Sequence, residues 1–257
     1  MALGRRKIRL EDASAWVFNR MADVYDARPP YPAALIDFIA ALTGGRGPIG
    51  DIGAGIGHLA LPLAARGCEV VAIEPAQAML ERLRQAAHEH GLPVQAEHAS
   101  AEALPLPRGS LQAVAVVDAL HFMDRELLAH EVARVLAPAG VLMMVTCEFA
   151  DTPFMRAVAD VMAASAPRRA RNVSLSFTQI SSITGVPLEA RRVFQDDTPV
   201  DHVTLERILR SISFIGPAMN PPRFAAFRKR IHALSESPVW SRRFTLRWGR
   251  RSVKPGK

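Results

Sequence analysis

The chain has 257 residues, 49% of them apolar, and a formal net charge of +7. That length and apolar content suit one domain, or one domain with an appended cap, and no uninterrupted apolar run is long enough to span a membrane. The basic opening, Met-Ala-Leu-Gly-Arg-Arg-Lys, lacks the apolar stretch of a signal peptide, so a cytoplasmic protein is expected.

Cys68 and Cys147 show no metal-ligand spacing and read as small buried hydrophobes in a reducing compartment. The eight histidines form no metal constellation, so no metal is expected. The positive charge is concentrated late in the chain: residues 223–257 hold eleven Lys or Arg against one acid, Glu236. Such a tail can meet nucleic acid or draw in an anionic substrate, but it has no dense aromatic interleaving and no RNA-module signature. It is read as a solvated, arginine-rich surface, and nucleic acid is not expected as a partner.

In chain order, residues 1–17 read as a lead-in. Residues 18–45 read as helical, with apolar positions from Tyr31 to Leu42 at helical spacing and Gly44-Gly45 as the stop. A short strand is expected over 49–52, weakened by Gly50. A helix follows through Leu59, Leu61, Leu63 and Ala64, closed by Gly67. Then come a strand over 69–74, a helix over 75–90, a strand over 94–97 and a nearly all-apolar strand over 111–118. A helix over 125–136 leads to a second nearly all-apolar strand over 141–147. Such strands are buried on both faces. Past residue 150 the expectations are a helix over 152–166, a basic loop over 167–171, a short helix over 177–185 and a strand over 188–195. A helix over 203–214 with Asp201 as N-cap, a helix over 221–234 and a strand over 239–248 complete the chain. The alternation predicts an α/β fold, a doubly wound, mostly parallel Rossmann-like sheet. Its ligand belongs at the carboxyl ends of the strands, where the strand order reverses.

Asp51-Ile52-Gly53-Ala54-Gly55-Ile56-Gly57 lies at that switch point, and Glu74 ends the next apolar run. Glycines let the backbone approach a ligand, and a carboxylate about 20 residues on grips ribose hydroxyls. A dinucleotide site wants G-x-G-x-x-G. Here the third glycine comes one residue early and His58 takes the place of Gly or Ala. Asp51 before the turn would repel a pyrophosphate and welcome a cationic amino-acid ligand. A nicotinamide-dependent oxidoreductase is therefore disfavoured.

The glycine pattern resembles motif I of the class I S-adenosylmethionine (SAM) methyltransferases. Four further segments resemble, in order, segments of the small-molecule members of that family. They are Tyr25-Asp26-Ala27-Arg28-Pro29-Pro30-Tyr31-Pro32, Ser100-Ala101-Glu102-Ala103-Leu104-Pro105, Asp118-Ala119-Leu120-His121-Phe122-Met123-Asp124 and Glu131-Val132-Ala133-Arg134-Val135-Leu136-Ala137-Pro138-Ala139-Gly140. The chain thus resembles the ubiquinone-type and trans-aconitate-type group over roughly residues 18–148.

The resemblance implies a seven-stranded sheet with a helical cap near the C-terminus. It divides the chain into a lid over 1–45, a SAM-binding core over 46–150, and cap helices, closing strands and basic tail over 151–257. It implies SAM as cofactor, with S-adenosylhomocysteine as product. Gly53, Ala54, Gly55 and Gly57 would wrap the methionine part, with Asp51 near its ammonium. Glu74 would take the ribose hydroxyls, with Pro75 beside it. Met79 would pack on the adenine face, and Ser100, Ala101 and Glu102 would meet the adenine edge. Asp118 and Leu120 would line the carboxypropyl side. Tyr25, Arg28 and Tyr31 would fold over the site, with Arg28 a partner for the SAM carboxylate. His121 is the candidate base, ahead of His202 and Tyr31. The Arg-rich cap (Arg168, Arg169, Arg171, Arg210) makes an acidic metabolite a reasonable acceptor, with O-methylation slightly favoured over N- or C-. A methyltransferase acting on RNA and a non-catalytic SAM-binding protein stay open as alternatives. The state expected is monomer or homodimer.

Overall fold

A computed structural model describes residues 17–45, 47–166 and 173–252. Five strands run parallel: β1 (Ile49–Ile52), β2 (Val70–Ile73), β3 (Val94–Glu97), β4 (Leu111–Val117) and β5 (Leu136–Phe149). Two more, β6 (Ala190–Pro199) and β7 (Val239–Arg250), complete a seven-stranded sheet of order β3-β2-β1-β4-β5-β7-β6. β7 is antiparallel to both of its neighbours. The chain runs outward from β1 to β3 and returns to β4, so the switch point lies between β1 and β4.

The side chains of β4 and β5 alternate between two cores. On one face Ala113, Ala115, Val141 and Met143 meet Leu35, Ile36 and Ile39 of α2 (Ala33–Thr43), Leu63 of α3 (Ala60–Ala64) and Leu83 of α4 (Gln77–Glu89). On the other, Val114, Val116, Leu142 and Met144 meet Leu128 and Val132 of α5 (Arg125–Val135) and Ile180 of α7 (Val173–Thr184). Burial on both faces is why these strands read as unbroken apolar runs. A third core joins α6 (Pro153–Ser165), α8 (His202–Arg210), α9 (Pro221–His232) and Trp240 of β7. A fourth, smaller one seats Met21 and Ala22, at the start of the short helix α1 (Ala22–Tyr25), against Ala76 and Met79.

Several details differ from the sequence expectation. β5 begins at Leu136 rather than at 141, because a shift between Leu111 and Ala113 lets Ala137–Gly140 bulge, with Ala139 at φ 60°. The helix expected to 214 stops at Arg210, where the Ser211 N–H bonds back to Arg207 and its hydroxyl to Ile208. The strand expected over 188–195 runs over Ala190–Pro199, following its ten-residue pairing with β7. At Gly50 of β1 a Cβ would meet Leu111 Cδ1 at 2.6 Å, so the leucine fills the space. Among the described residues no helix is long and apolar enough to cross a membrane.

Candidate functional site

At the end of β1 the chain turns through Gly53 (φ 80°), Gly55 (φ 58°) and Gly57 (φ 94°), a left-handed series that only glycine adopts at little cost. The first and last glycines serve different ends. A Cβ on Gly53 would come 2.8 Å from Ala119 Cβ and 2.9 Å from Met123 Cε, on the wall of a cavity. One on Gly57 would strike Leu61 at 2.8 Å and Leu83 at 3.1 Å. Gly57 therefore lets the turn pack on α3 and α4 and is not among the residues that line the cavity.

Glu74 locks the turn from the end of β2. Its Oε2 accepts from the Gly55 N–H at 2.8 Å and its Oε1 from the Ala76 N–H at 2.9 Å. Asp51 is buried beneath the turn, and its Oδ2 has no hydrogen-bond partner. Burial pushes both carboxyls up to about 7; the charge of Glu74 adds to the shift of Asp51. Two buried carboxylates, one with an unused oxygen, form a site that gains by receiving a cation.

The cavity beside them holds about 80 Å³. Gly53, Ala54, Gly55, Glu74, Pro75 and Met79 form one side, and Ser100, Ala101 and Glu102 the far edge. Asp118 stands at the end of β4 and Tyr25 and Tyr31 lie above. A second cavity, of about 280 Å³, opens beyond the end of β5. Phe18, Tyr25, Asp118 and Phe122 line both cavities, so the two meet there. Phe18 and Phe122 touch edge to face, with centroids 4.8 Å apart, across that junction. Asp118 holds φ 48°, a strained conformation of the kind that functional sites retain.

The roof is held from three directions. Asn19 Oδ1 accepts from the Ala78 N–H of α4 at 2.9 Å. Arg28 donates to the Ser211 hydroxyl and carbonyl, both at 2.9 Å, and lies 4.4 Å over the Tyr25 ring. Arg242 of β7, 6% exposed, donates to the Pro29 and Pro30 carbonyls and pairs with Asp196 of β6 at 2.5 Å. His58 stacks on Tyr25, and burial followed by the charges of Arg28 and Arg242 lowers it to about 4, so the ring is neutral. Burial raises the Tyr25 and Tyr31 hydroxyls, so both stay protonated.

The expected residues divide between the two spaces. Tyr25, Tyr31, Gly53, Ala54, Gly55, Glu74, Pro75, Met79, Ser100, Ala101, Glu102 and Asp118 line the first cavity. Asp51 lies beneath it, and Leu120 is not on its wall. Arg28 lines the second cavity and is tied to Ser211. His121 also lines the second cavity, with its ring 3.9 Å from that of Phe122. His202 packs against His232 in the cap, with centroids 4.4 Å apart, and lines neither cavity. Arg210 pairs with Glu206 at 2.9 Å and covers Phe224, so it does not serve the cavities. Arg168, Arg169 and Arg171 lie outside the described residues.

Sequence reasoning missed Phe18, Phe122 and Met123 on the first cavity, and Phe149, Met162, Ile208, Ile212 and Trp240 on the second. Cys147 had read as plain core, yet it lines the second cavity, where burial and Asp118 push its thiol well up. Phe122 lay inside a quoted segment and could have been found. The cap residues carry no local signal.

Residues 50–144 match the family model described as a methyltransferase domain. Over 146 residues the chain is 37% identical to an uncharacterized methyltransferase of Mycobacterium tuberculosis, covering 56% of this chain and 55% of that one. Over 106 residues it is 42% identical to the demethylmenaquinone methyltransferase of Thermus thermophilus, covering 40% of this chain and 47% of that one. The chain thus spans about half the length of the curated relatives it matches. Its fold is similar to that of the YcgJ protein of Bacillus subtilis, with a TM-score of 0.58 at 19% identity over 85% of this chain and 98% of that one. Residues 50–144 thus match a methyltransferase domain by sequence, and the chain folds as a seven-stranded, mostly parallel Rossmann-like sheet.

Proposed function

We propose that the protein transfers the methyl group of SAM to a small-molecule acceptor held in the second cavity. The observation that carries this reading is the junction of the two cavities at Phe18, Tyr25, Asp118 and Phe122. A methyl donor and its acceptor need one contact point, aligned and shielded from water.

The residues present fit SAM. The unused oxygen of Asp51 suits an ammonium group, directly or through water, and Gly55 leaves the cavity wall open, since a Cβ there would find only Tyr25 Cε1, at 3.9 Å. Glu74 keeps lone pairs beyond its two backbone bonds, enough to accept from ribose hydroxyls. Ser100, Ala101 and Glu102 would border the adenine. SAM supplies a methyl group already activated on a sulfonium. The protein's share is to orient the acceptor and exclude water, with Phe18 and Phe122 across the junction. His121 is the group suited to take a proton from an acceptor hydroxyl, and its place on the acceptor cavity favours that role over a cofactor contact. O-methylation stays slightly favoured on that ground. Helices α6, α8 and α9 act as the acceptor's cap and residues 17–45 as the lid.

Phe149, Met162, Ile208, Ile212, Phe214 and Trp240 give the acceptor cavity its apolar walls, and Arg28, Arg242, Asp118 and Glu148 are its charged residues. A largely apolar molecule with one acidic or hydroxyl group fits these walls better than a polyanion. An RNA substrate gains no support, because most of the late arginines are used within the fold. Arg243 pairs with Glu148, Arg228 with Glu206, Arg250 donates to the Leu42 carbonyl and Arg251 to the Ala133 carbonyl.

Calorimetric titration with SAM and with S-adenosylhomocysteine, with Glu74→Ala as control, tests the cofactor. Saturable binding lost in the control is expected; no binding of either ligand would overturn the proposal. Label transfer from methyl-labelled SAM across a panel of phenols, quinols and aromatic acids then tests the acceptor. Saturable SAM binding with no transfer to any acceptor class would favour a non-catalytic SAM-binding protein.

A further inference from the structure

The two edges of the sheet are unequal. β3 ends one side with four residues, short enough to offer little to another strand. β6 ends the other side with ten residues, paired with β7 without a register shift, and with no proline before Pro199. Among the described residues no strand pairs with its outer side. A long, straight edge of this kind is a template for another strand unless its side chains forbid it.

The side chains of β6 are not uniformly repulsive. They read Ala190-Arg191-Arg192-Val193-Phe194-Gln195-Asp196-Asp197-Thr198, two cations and two anions placed symmetrically about Phe194. A second β6 laid antiparallel, with the two-fold axis at Phe194, sets Arg191 opposite Asp197, Arg192 opposite Asp196 and Val193 opposite Gln195. A parallel copy in register would set arginine against arginine and aspartate against aspartate. Opposite charges directly across a ladder stabilise it and like charges destabilise it, so the charge pattern selects one orientation. Arg191, Val193, Gln195 and Asp197 share the exposed face, and Val193, at 45%, is one of few large apolar side chains in the open. Arg192 lies over Phe38 and Phe194, and Asp196 is held by Arg242, so the charges of the inner face are already fixed in position. The chemistry of the edge fits a partner that carries this same strand.

We propose that β6 pairs antiparallel with β6 of a second copy of this chain, joining two sheets into one across a two-fold axis at Phe194. The reading does not depend on the proposed reaction.

Light scattering on a sizing column, with the full chain at several concentrations, tests it. The expected mass is twice the 28.0 kDa of one chain. Arg191→Asp alone and Asp197→Arg alone each set like charges opposite one another twice per dimer, and each should weaken association roughly tenfold or more. Mixing the two single variants restores both opposite pairs and should restore the dimer, as should the double variant Arg191→Asp/Asp197→Arg. Both positions are exposed, so the thermal midpoint of each monomer should stay close to that of the unmodified protein. A monomer at every concentration overturns the proposal. So does a dimer indifferent to both reversals, which would place the interface elsewhere.

Discussion

At the cofactor end the polar contacts are made over short stretches of chain. Glu74 reaches back 19 residues to Gly55, and its other oxygen bonds only two residues ahead. At the acceptor end the same work is done across most of the molecule. Arg28 meets Ser211 at a separation of 183 residues, and Arg242 meets Pro29 at 213. The first arrangement is a backbone shape enforced by glycines and one carboxylate. The second is an assembly of side chains that only the finished fold brings together. On the proposed function, the contrast teaches that binding of the methyl donor and recognition of its acceptor would rest on separable parts of the structure.

The sharpest way to break the acceptor end alone is Arg242→Met. It leaves Asp196 and two proline carbonyls without their cation, so a loss of about 3–5 kcal/mol is expected in chemical denaturation. SAM affinity should stay close to that of the unmodified protein in the fraction that remains folded. A matching loss of SAM affinity would show the two ends to be one unit.

Glu74→Ala strikes the other end. Two backbone donors and the proposed ribose contact lose their acceptor, and calorimetry should record about a hundredfold weaker SAM binding. Gly53→Ala asks whether the turn is as tight as its neighbours indicate. A Cβ pressed on Ala119 and Met123, at φ 80°, should cost about 2 kcal/mol and lower the thermal midpoint.

Titration separates the two ends again. Asp51 and Glu74 stand near 7, above their ordinary values of 3.8 and 4.5. The ligand-free fold holds protons that the unfolded chain has already released. Its stability from these groups is therefore fully present below pH about 4 and lost as pH rises through 7. A cationic ligand needs the charged forms, so SAM affinity should run the opposite way and fall about tenfold from pH 8 to 6. Denaturation and calorimetry over pH 5–8 check both slopes. Affinity flat across that range would remove the carboxylates from the binding step.

The mildest test is Ser211→Ala, which removes the hydroxyl that accepts from Arg28 and leaves the Arg28 bond to the residue 211 carbonyl in place. About 1 kcal/mol of stability should be lost with no change in SAM binding.

How much of this was legible in the sequence follows from the same contrast. The glycine turn, Glu74 and the apolar strands could be read because each is a local pattern with a local cause. The packing role of Gly57 was not legible because φ alone does not tell a ligand contact from a helix contact. Its reason lies in Leu61 and Leu83, the second of them on a different helix. The tie of Arg28 was not legible because its partner, Ser211, is fixed only by the fold. The late arginines looked like a solvated patch since nothing near them in sequence names Asp196, Leu42 or Ala133 as partners. Cys147 carried no signal because a buried strand residue and a cavity wall look alike in one dimension.

The place of β7 between β5 and β6 bears on how the molecule comes into being. A ribosome delivers residues 190–199 about forty residues before the strand they must pair with. Through that interval β6 has no neighbour in the sheet, and the Pro29 and Pro30 carbonyls wait for Arg242. The switch point between β1 and β4 can form during synthesis from chain already delivered. The acceptor end closes only when the last strand arrives, so truncation before residue 239 leaves the glycine turn its local partners and removes the sheet's far edge.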